Sequence, residues 1–225
     1  MQVRRLIDLS HPVDAGTTVY PGDPEVRLSD AATIADDGFN VLHVHMGSQS
    51  GTHVDAPYHF LAEGARIDEL DLGHFVASAV VADLRGLGAR TAITWESLQP
   101  VADRLRPNVM VLLHTGWDEH WGRETYFDHP YLAADAAERL VARGVRTVGI
   151  DALSIDRTVL EGEHPTGFAT HHVLLGAGGV IVENLTNLAA LGQADVLVSV
   201  LPIRLTGADG APVRAVAMEF DVGDH

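Results

Sequence analysis

The densest cluster of chemically capable side chains is the segment Ser50-Gly51-Thr52-His53-Val54-Asp55-Ala56-Pro57-Tyr58-His59-Phe60. It holds two imidazoles and a carboxylate at spacings of two and four residues. In extended backbone, residues an even number apart share a face. His53, Asp55 and His59 are therefore expected to point the same way, with Pro57 bending the chain between them and Gly51 allowing a sharp local backbone. A His-x-Asp pair alone is usually a surface hydrogen bond. A second histidine on the same face is better explained by metal ligation, because each group would be unfavourable to bury without a partner.

Two residues further along the chain carry side chains of the same chemical types. His171 falls on a short helical stretch, and Glu183 ends the apolar run Gly179-Val180-Ile181-Val182. A carboxylate at that place is either a solvated strand end or a site residue. The residues alone leave both readings open.

Composition narrows the chemistry. The chain has no cysteine, and its 15 basic residues are all arginine. Thiolate nucleophiles, disulfides, Cys-ligated zinc and iron–sulfur clusters are excluded. So are Schiff-base lysines and the P-loop lysine. A formal net charge of −16 makes nucleic acid a poor partner. Histidine, with 13 copies, and carboxylate remain in quantity, and these bind divalent metals without thiols. No targeting segment or long apolar run stands out, so the expectation is a cytoplasmic protein with no membrane partner.

The elements that must position these residues can be read coarsely. Strand-like runs cover Val3–Leu9, Val41–Met46, Val76–Leu84, Val109–His114, Val145–Ile150, Val180–Glu183, Val196–Leu205 and Val213–Phe220. Helical patterns cover Thr94–Leu105, Ala133–Arg143 and Ala169–Leu175. No linker or repeat interrupts the chain, so residues 1–225 are expected to form one domain. Strands outnumber helices without strict alternation, which fits a mixed α/β or α+β domain. Pro21-Gly22-Asp23-Pro24 reads as a tight turn or as a loop bordering a site.

The block from Gln49 to Phe60 resembles the signature H-x-G-T-H-x-D-x-P-x-H-F of the metal-dependent cyclase family. That family includes bacterial kynurenine formamidases (arylformamidases) and isatin hydrolases. The similarity continues through Asp8-Leu9-Ser10-His11-Pro12, Pro21-Gly22-Asp23-Pro24, Thr115-Gly116-Trp117, Gly149-Ile150-Asp151-Ala152-Leu153-Ser154, and His171 followed by Glu183-Asn184-Leu185. It covers most of the chain. The resemblance implies a three-layered β/β/α domain of the swivelling type, assembled as a homodimer or homotetramer. It implies that His53, Asp55, His171 and Glu183 hold one or two divalent ions, zinc or manganese, and that His59 acts as acid/base. The loop around Tyr20–Pro24 would line the pocket or a neighbouring subunit's pocket.

One position departs from the signature: its first histidine is Gln49 here. Three outcomes are open. Gln49 is a weak ligand, it hydrogen-bonds a bound water, or one metal subsite is lost; a harder ion such as manganese is the expected direction. His43 and His45 share its parity along the strand and could compensate. His114 could face the pocket or the core, and His172 should face away. Gly47-Ser48-Gln49-Ser50-Gly51 lacks the serine of a nucleophile elbow, which argues against a serine hydrolase.

The expected activity is metal-dependent hydrolysis of an amide, lactam or ester. A metal-activated water attacks the carbonyl while His59 shuttles the proton. N-formylkynurenine is the leading small-molecule substrate by resemblance alone. An isatin-like lactam, a dienelactone or a secondary-metabolism cyclisation is the alternative, and a catalytically disabled metal- or ligand-binding relative is the rival of another class.

Overall fold

The computed structural model describes residues 2–164, 167–192 and 196–221. The first half contains β1 (Val3–Asp8), β2 (Arg27–Ala32), α1 (Ile34–Asp37), β3 (Val41–His45), β4 (His53–Asp55), β5 (Val76–Asp83), β6 (Ala92–Ile93), α2 (Trp95–Leu98) and β7 (Val109–His114). The second half contains β8 (Tyr131–Leu132), α3 (Ala134–Ala142), β9 (Thr147–Ile150), α4 (Ala169–Gly176), β10 (Val180–Glu183), β11 (Val196–Ser199), β12 (Gly210–Pro212) and β13 (Val216–Phe220).

Nine strands form one mixed sheet in the order β1-β13-β11-β5-β7-β9-β10-β4-β12. Its centre, β5-β7-β9-β10, is parallel, and the outer pairings are antiparallel. Parallel neighbours require crossover connections, and α2, α3 and α4 lie in these. The central strands are covered on both faces, so they read as continuous apolar runs. In β7, Val109, Val111 and Leu113 face one core while Met110 and Leu112 face the other. The first core is closed by Trp95, Leu98, Leu140 and Leu174 from the helices. In the second, Ile7, Val198 and Ala217 from the outer strands lie with Val54, Leu112 and Val182 as the sheet curls. Helices, central sheet and curled sheet ends give the three layers expected from the resemblance.

Local departures from the expected elements have physical causes. Thr94–Leu105 is not one helix: α2 stops at Leu98 and a 3-10 turn, Gln99–Arg104, follows. Pro100 has no N–H to continue the α ladder. The run Val41–Met46 forms β3, which pairs only with β2 in a separate hairpin. The run Val213–Phe220 begins as a strand only at Val216. The short strands β4 and β12 were not expected, and both are needed to build the site. No helix among the described residues is long and apolar enough to cross a membrane.

Gly64 shows how tightly the frame holds one site residue. A Cβ there would stand 2.5 Å from the carbonyl carbon of Pro57 and 2.7 Å from the nitrogen of Tyr58. That peptide begins the 3-10 turn Pro57–His59. Gly64→Ala is therefore expected to destabilise the protein by about 1–3 kcal/mol. Urea unfolding checks this, and an unchanged midpoint with unchanged slope would contradict it.

Candidate metal centre

Sheet register assembles the first three residues. In the β4–β10 pair, Glu183 lies directly opposite His53, and Asp55 lies opposite Ile181. Val54 and Val182 point into the core of the curled sheet, while Ile181 packs in the core beneath the helices. By alternation, His53, Asp55 and Glu183 share the helix-side face. There α4 supplies His171. Asp156, on the loop before α4, fixes its start by accepting from the backbone nitrogens of Thr170 (3.1 Å) and His171 (2.9 Å).

The four side chains are buried, with relative exposures of 1–5%. His53 Nε2 is 3.3 Å from Asp55 Oδ1 and 3.5 Å from Glu183 Oε2. His171 Nε2 is 3.4 Å from Glu183 Oε1 and 3.7 Å from Asp55 Oδ2. Ligands about 2.1 Å from a common tetrahedral ion stand roughly 3.4 Å apart. The far side of each imidazole is engaged: His53 Nδ1 lies 2.9 Å from the carbonyl of Gly51, and His171 Nδ1 lies 2.7 Å from Asp156 Oδ2. Both carbonyl and carboxylate only accept, so each Nδ1 carries the proton and each Nε2 turns toward the carboxylates. Both oxygens of Asp55 are buried without a hydrogen-bond partner. A buried carboxylate in that state is unfavourable unless a cation satisfies it. The donor set fits a divalent metal ion.

Without a cation, protons take its place. Burial alone would lower the pKa of His53, but Asp55 and Glu183 outweigh it and raise it to about 10. His171 is likewise raised, against burial, by Asp156, Asp55 and Glu183. Asp55 is held below the usual carboxylate range, against burial, by His171 and His53.

His59 reaches the same place by another route. The strand ends at Asp55, so His59 stands on the 3-10 turn rather than on an extended face. It still comes within ligand reach of Asp55 and His171. Its Nδ1 is 3.0 Å from Asp209 Oδ2. Gln49 lines the same pocket as His53, His59, His171 and Glu183. Its amide nitrogen donates to Asp209 Oδ2 at 2.9 Å. The adjoining pocket carries Tyr20, Asp23, Phe60 and Phe168. Phe60 stacks on the His171 ring at 4.4 Å and meets Phe168 at 5.3 Å.

The other histidines lie elsewhere. His43 and His45 are exposed on the β2–β3 hairpin, and His114 lines a separate cavity with Arg85 and Asp83. His172 is exposed and belongs to neither ligand-capable group among the described residues, its ring meeting Phe60 at 5.4 Å. Sequence reasoning missed Asp156 and Asp209. Asp156 had no local helix-start signal, because it stands 13 positions before the first residue of α4. Asp209 had no signal either, because it lies 150 residues from His59.

Comparison with known proteins places the chain in a family and its fold beside solved structures. Residues 7–157 match the family model described as "Putative cyclase". A kynurenine formamidase of Delftia acidovorans is 33% identical over 217 residues, covering 95% of this chain and 97% of that protein. An isatin hydrolase solved with the product analogue thioisatinate superposes with a TM-score of 0.87 at 21% identity, covering 96% of this chain and 92% of that one. A potential metal-dependent hydrolase with cyclase activity superposes at 0.79 with 27% identity, covering 96% and 98%.

Protons and a cation compete for the same nitrogens. Adding zinc or manganese to metal-free protein at about pH 7 is expected to release about two protons, from His53 and His171, with binding weakening as the pH falls. Titration calorimetry in buffers of different protonation enthalpy measures this. Heats independent of the buffer would contradict it.

Proposed function

This chain belongs to the cyclase family, and from that membership we propose that it is a metal-dependent hydrolase that cleaves the C–N bond of an aryl formamide or related amide or lactam. The observation that carries the proposal is Asp55: a buried carboxylate with two unpartnered oxygens, faced by two imidazoles whose outer nitrogens are already engaged. His53, Asp55, His171 and Glu183 are the proposed ligands. When bound there, a divalent ion supplies Lewis acidity toward the carbonyl and acidifies water toward neutrality.

The rest of the chemistry falls to the chain itself. Asp156 and Gly51 hold the ligand imidazoles in the tautomer that points Nε2 inward. His59 accepts the proton of the attacking water and delivers it to the leaving nitrogen as the C–N bond breaks. The water oxygen ends on the acyl carbon and the proton on the amine, so the step balances as hydrolysis. Phe60, Phe168 and Tyr20 suit a flat aromatic group by stacking. N-formylkynurenine is the leading substrate, and an isatin-like lactam fits the same wall. Imidazole and carboxylate donors suit zinc or manganese, and Asp55, common to both ligand-capable clusters, could bridge two ions.

A homodimer or homotetramer belongs to the same reading. Ile34, Phe39, Val41, Leu42 and Val44 are exposed on and beside the β2–β3 hairpin. A two-stranded ribbon is marginal in water alone, and such an apolar surface suits a second copy of the chain. Val44→Asp is expected to shift the protein toward monomer in light scattering; no change at any concentration would remove the hairpin from the interface. A cytoplasmic location completes the proposal.

The test is metal analysis joined to a substrate panel of formanilides, isatin-type lactams and aryl lactones. Stoichiometric metal with formanilide or lactam turnover is expected. Metal without turnover across the panel would favour a catalytically disabled relative. His59→Ala is expected to keep its metal and lose about 10²–10⁴ in kcat, whereas Asp55→Asn is expected to bring metal content to background. Full activity in His59→Ala would remove that residue from the mechanism.

A further inference from the structure

We propose that Asp209 is a positioning residue that fixes the tautomer and orientation of His59, and that Gln49 and Ser48 form the clamp that holds Asp209 for this task. The inference rests on the hydrolase reading for its kinetic consequence, though not for its geometry.

Asp209 precedes β12, and its backbone carbonyl accepts from the nitrogen of Ala56 at 2.8 Å. That bond sets Asp209 beside the turn bearing His59. Its carboxylate then takes three donors. Oδ1 accepts from the Ser48 hydroxyl at 2.8 Å. Oδ2 accepts from the Gln49 amide at 2.9 Å and from His59 Nδ1 at 3.0 Å. Gln49 Nε2 and His59 Nδ1 lie 3.2 Å apart, both beside that one oxygen.

An ionised carboxylate only accepts, so His59 Nδ1 must carry hydrogen. Its Nε2 is then the lone-pair nitrogen, on a ring within ligand reach of Asp55 and His171. The His59 hydrogen bond, with those of Ser48 and Gln49, keeps Asp209 below the usual carboxylate range against partial burial. The His59 ring also makes T-shaped contacts with Phe60, at 4.7 Å between centroids, and with His171, at 6.1 Å. An edge contact does not distinguish the two ring nitrogens, whereas Asp209 does.

Gly210 supports the clamp. A Cβ there would stand 2.7 Å from Nε2 and 2.9 Å from Oε1 of Gln49. Glycine leaves the space into which the amide fits. On this account Gln49 serves the proton-handling histidine rather than the cation.

A double-mutant cycle on zinc-loaded protein tests the proposal. Asp209→Asn is expected to lower kcat by roughly 10- to 100-fold, less than the full acid/base contribution, with KM within about twofold and metal content unchanged. Adding it to His59→Ala should produce no further loss, because Asp209 acts through that ring. Nitrogen-15 NMR of histidine-labelled protein, with the His59 signal identified by its absence in His59→Ala, should show the Nδ1–H tautomer in the wild type and a mixture in Asp209→Asn. Should Asp209→Asn fail to fold, Ser48→Ala with Gln49→Leu loosens the same carboxylate while keeping its charge, and the same tautomer shift is expected. Independent, multiplicative losses would overturn the proposal, as would an effect on KM alone or an Nε2–H tautomer in the wild type. If the wild type turns over no member of the substrate panel, the hydrolase reading fails, and the tautomer measurement still decides the role of Asp209.

Discussion

Two imidazoles each hold their Nε2 within about 4 Å of both Asp55 and Glu183, in a place water barely reaches. Such a cluster exists only if its charges balance. Removing one partner of a buried pair typically costs about 3–5 kcal/mol, because the remaining charge is stranded. Protons on the imidazoles or a cation among the oxygens both supply the balance, and the two compete. The metal chemistry and its coupling to protons follow from that competition.

The scaffold around this cluster is built to be unforgiving. Strand alternation means that a one-residue slip of β4 against β10 would send His53 and Asp55 into the curled-sheet core and Val54 into the site. The apolar anchors Val54 and Val182 therefore fix the polar register as much as they stabilise the sheet. On the other side, α4 is tied to the cluster through Asp156, which holds both the start of the helix and the ring of His171. One carboxylate thus sets the position and the tautomer of a ligand together.

His59 lies under a different regime. It is partly open to the pocket, and its partner Asp209 keeps about a third of its side chain exposed. A rigid, dry ligand cluster beside a more solvated histidine separates the two tasks the proposed hydrolysis requires. The ligands must not move, and the proton carrier must exchange with water. Gln49 falls on the histidine's side of that division, which accounts for its amide donating to Asp209.

Much of this was legible in the chain. The central strands were readable because burial on both faces leaves uninterrupted apolar runs, as in Val109–Leu113. The motif around His53, Asp55 and His59 was legible from residue type and spacing. Glu183 was legible only through the family resemblance, since a strand-terminal carboxylate has the same sequence signature whether it meets water or an imidazole. The strands β4 and β12 were not legible: each is three residues long and is a strand only because its neighbours complete its ladder. Sequence by itself determined which groups were available, an inventory of imidazoles and carboxylates without thiol or lysine, and the alternation that places some on a common face. Only tertiary structure decided which of them meet, because His53 and Glu183 are joined by sheet pairing, and Asp209 and His59 meet beside the β4–β12 pair, each across more than a hundred residues, and no local pattern encodes a contact that depends on where the rest of the chain returns.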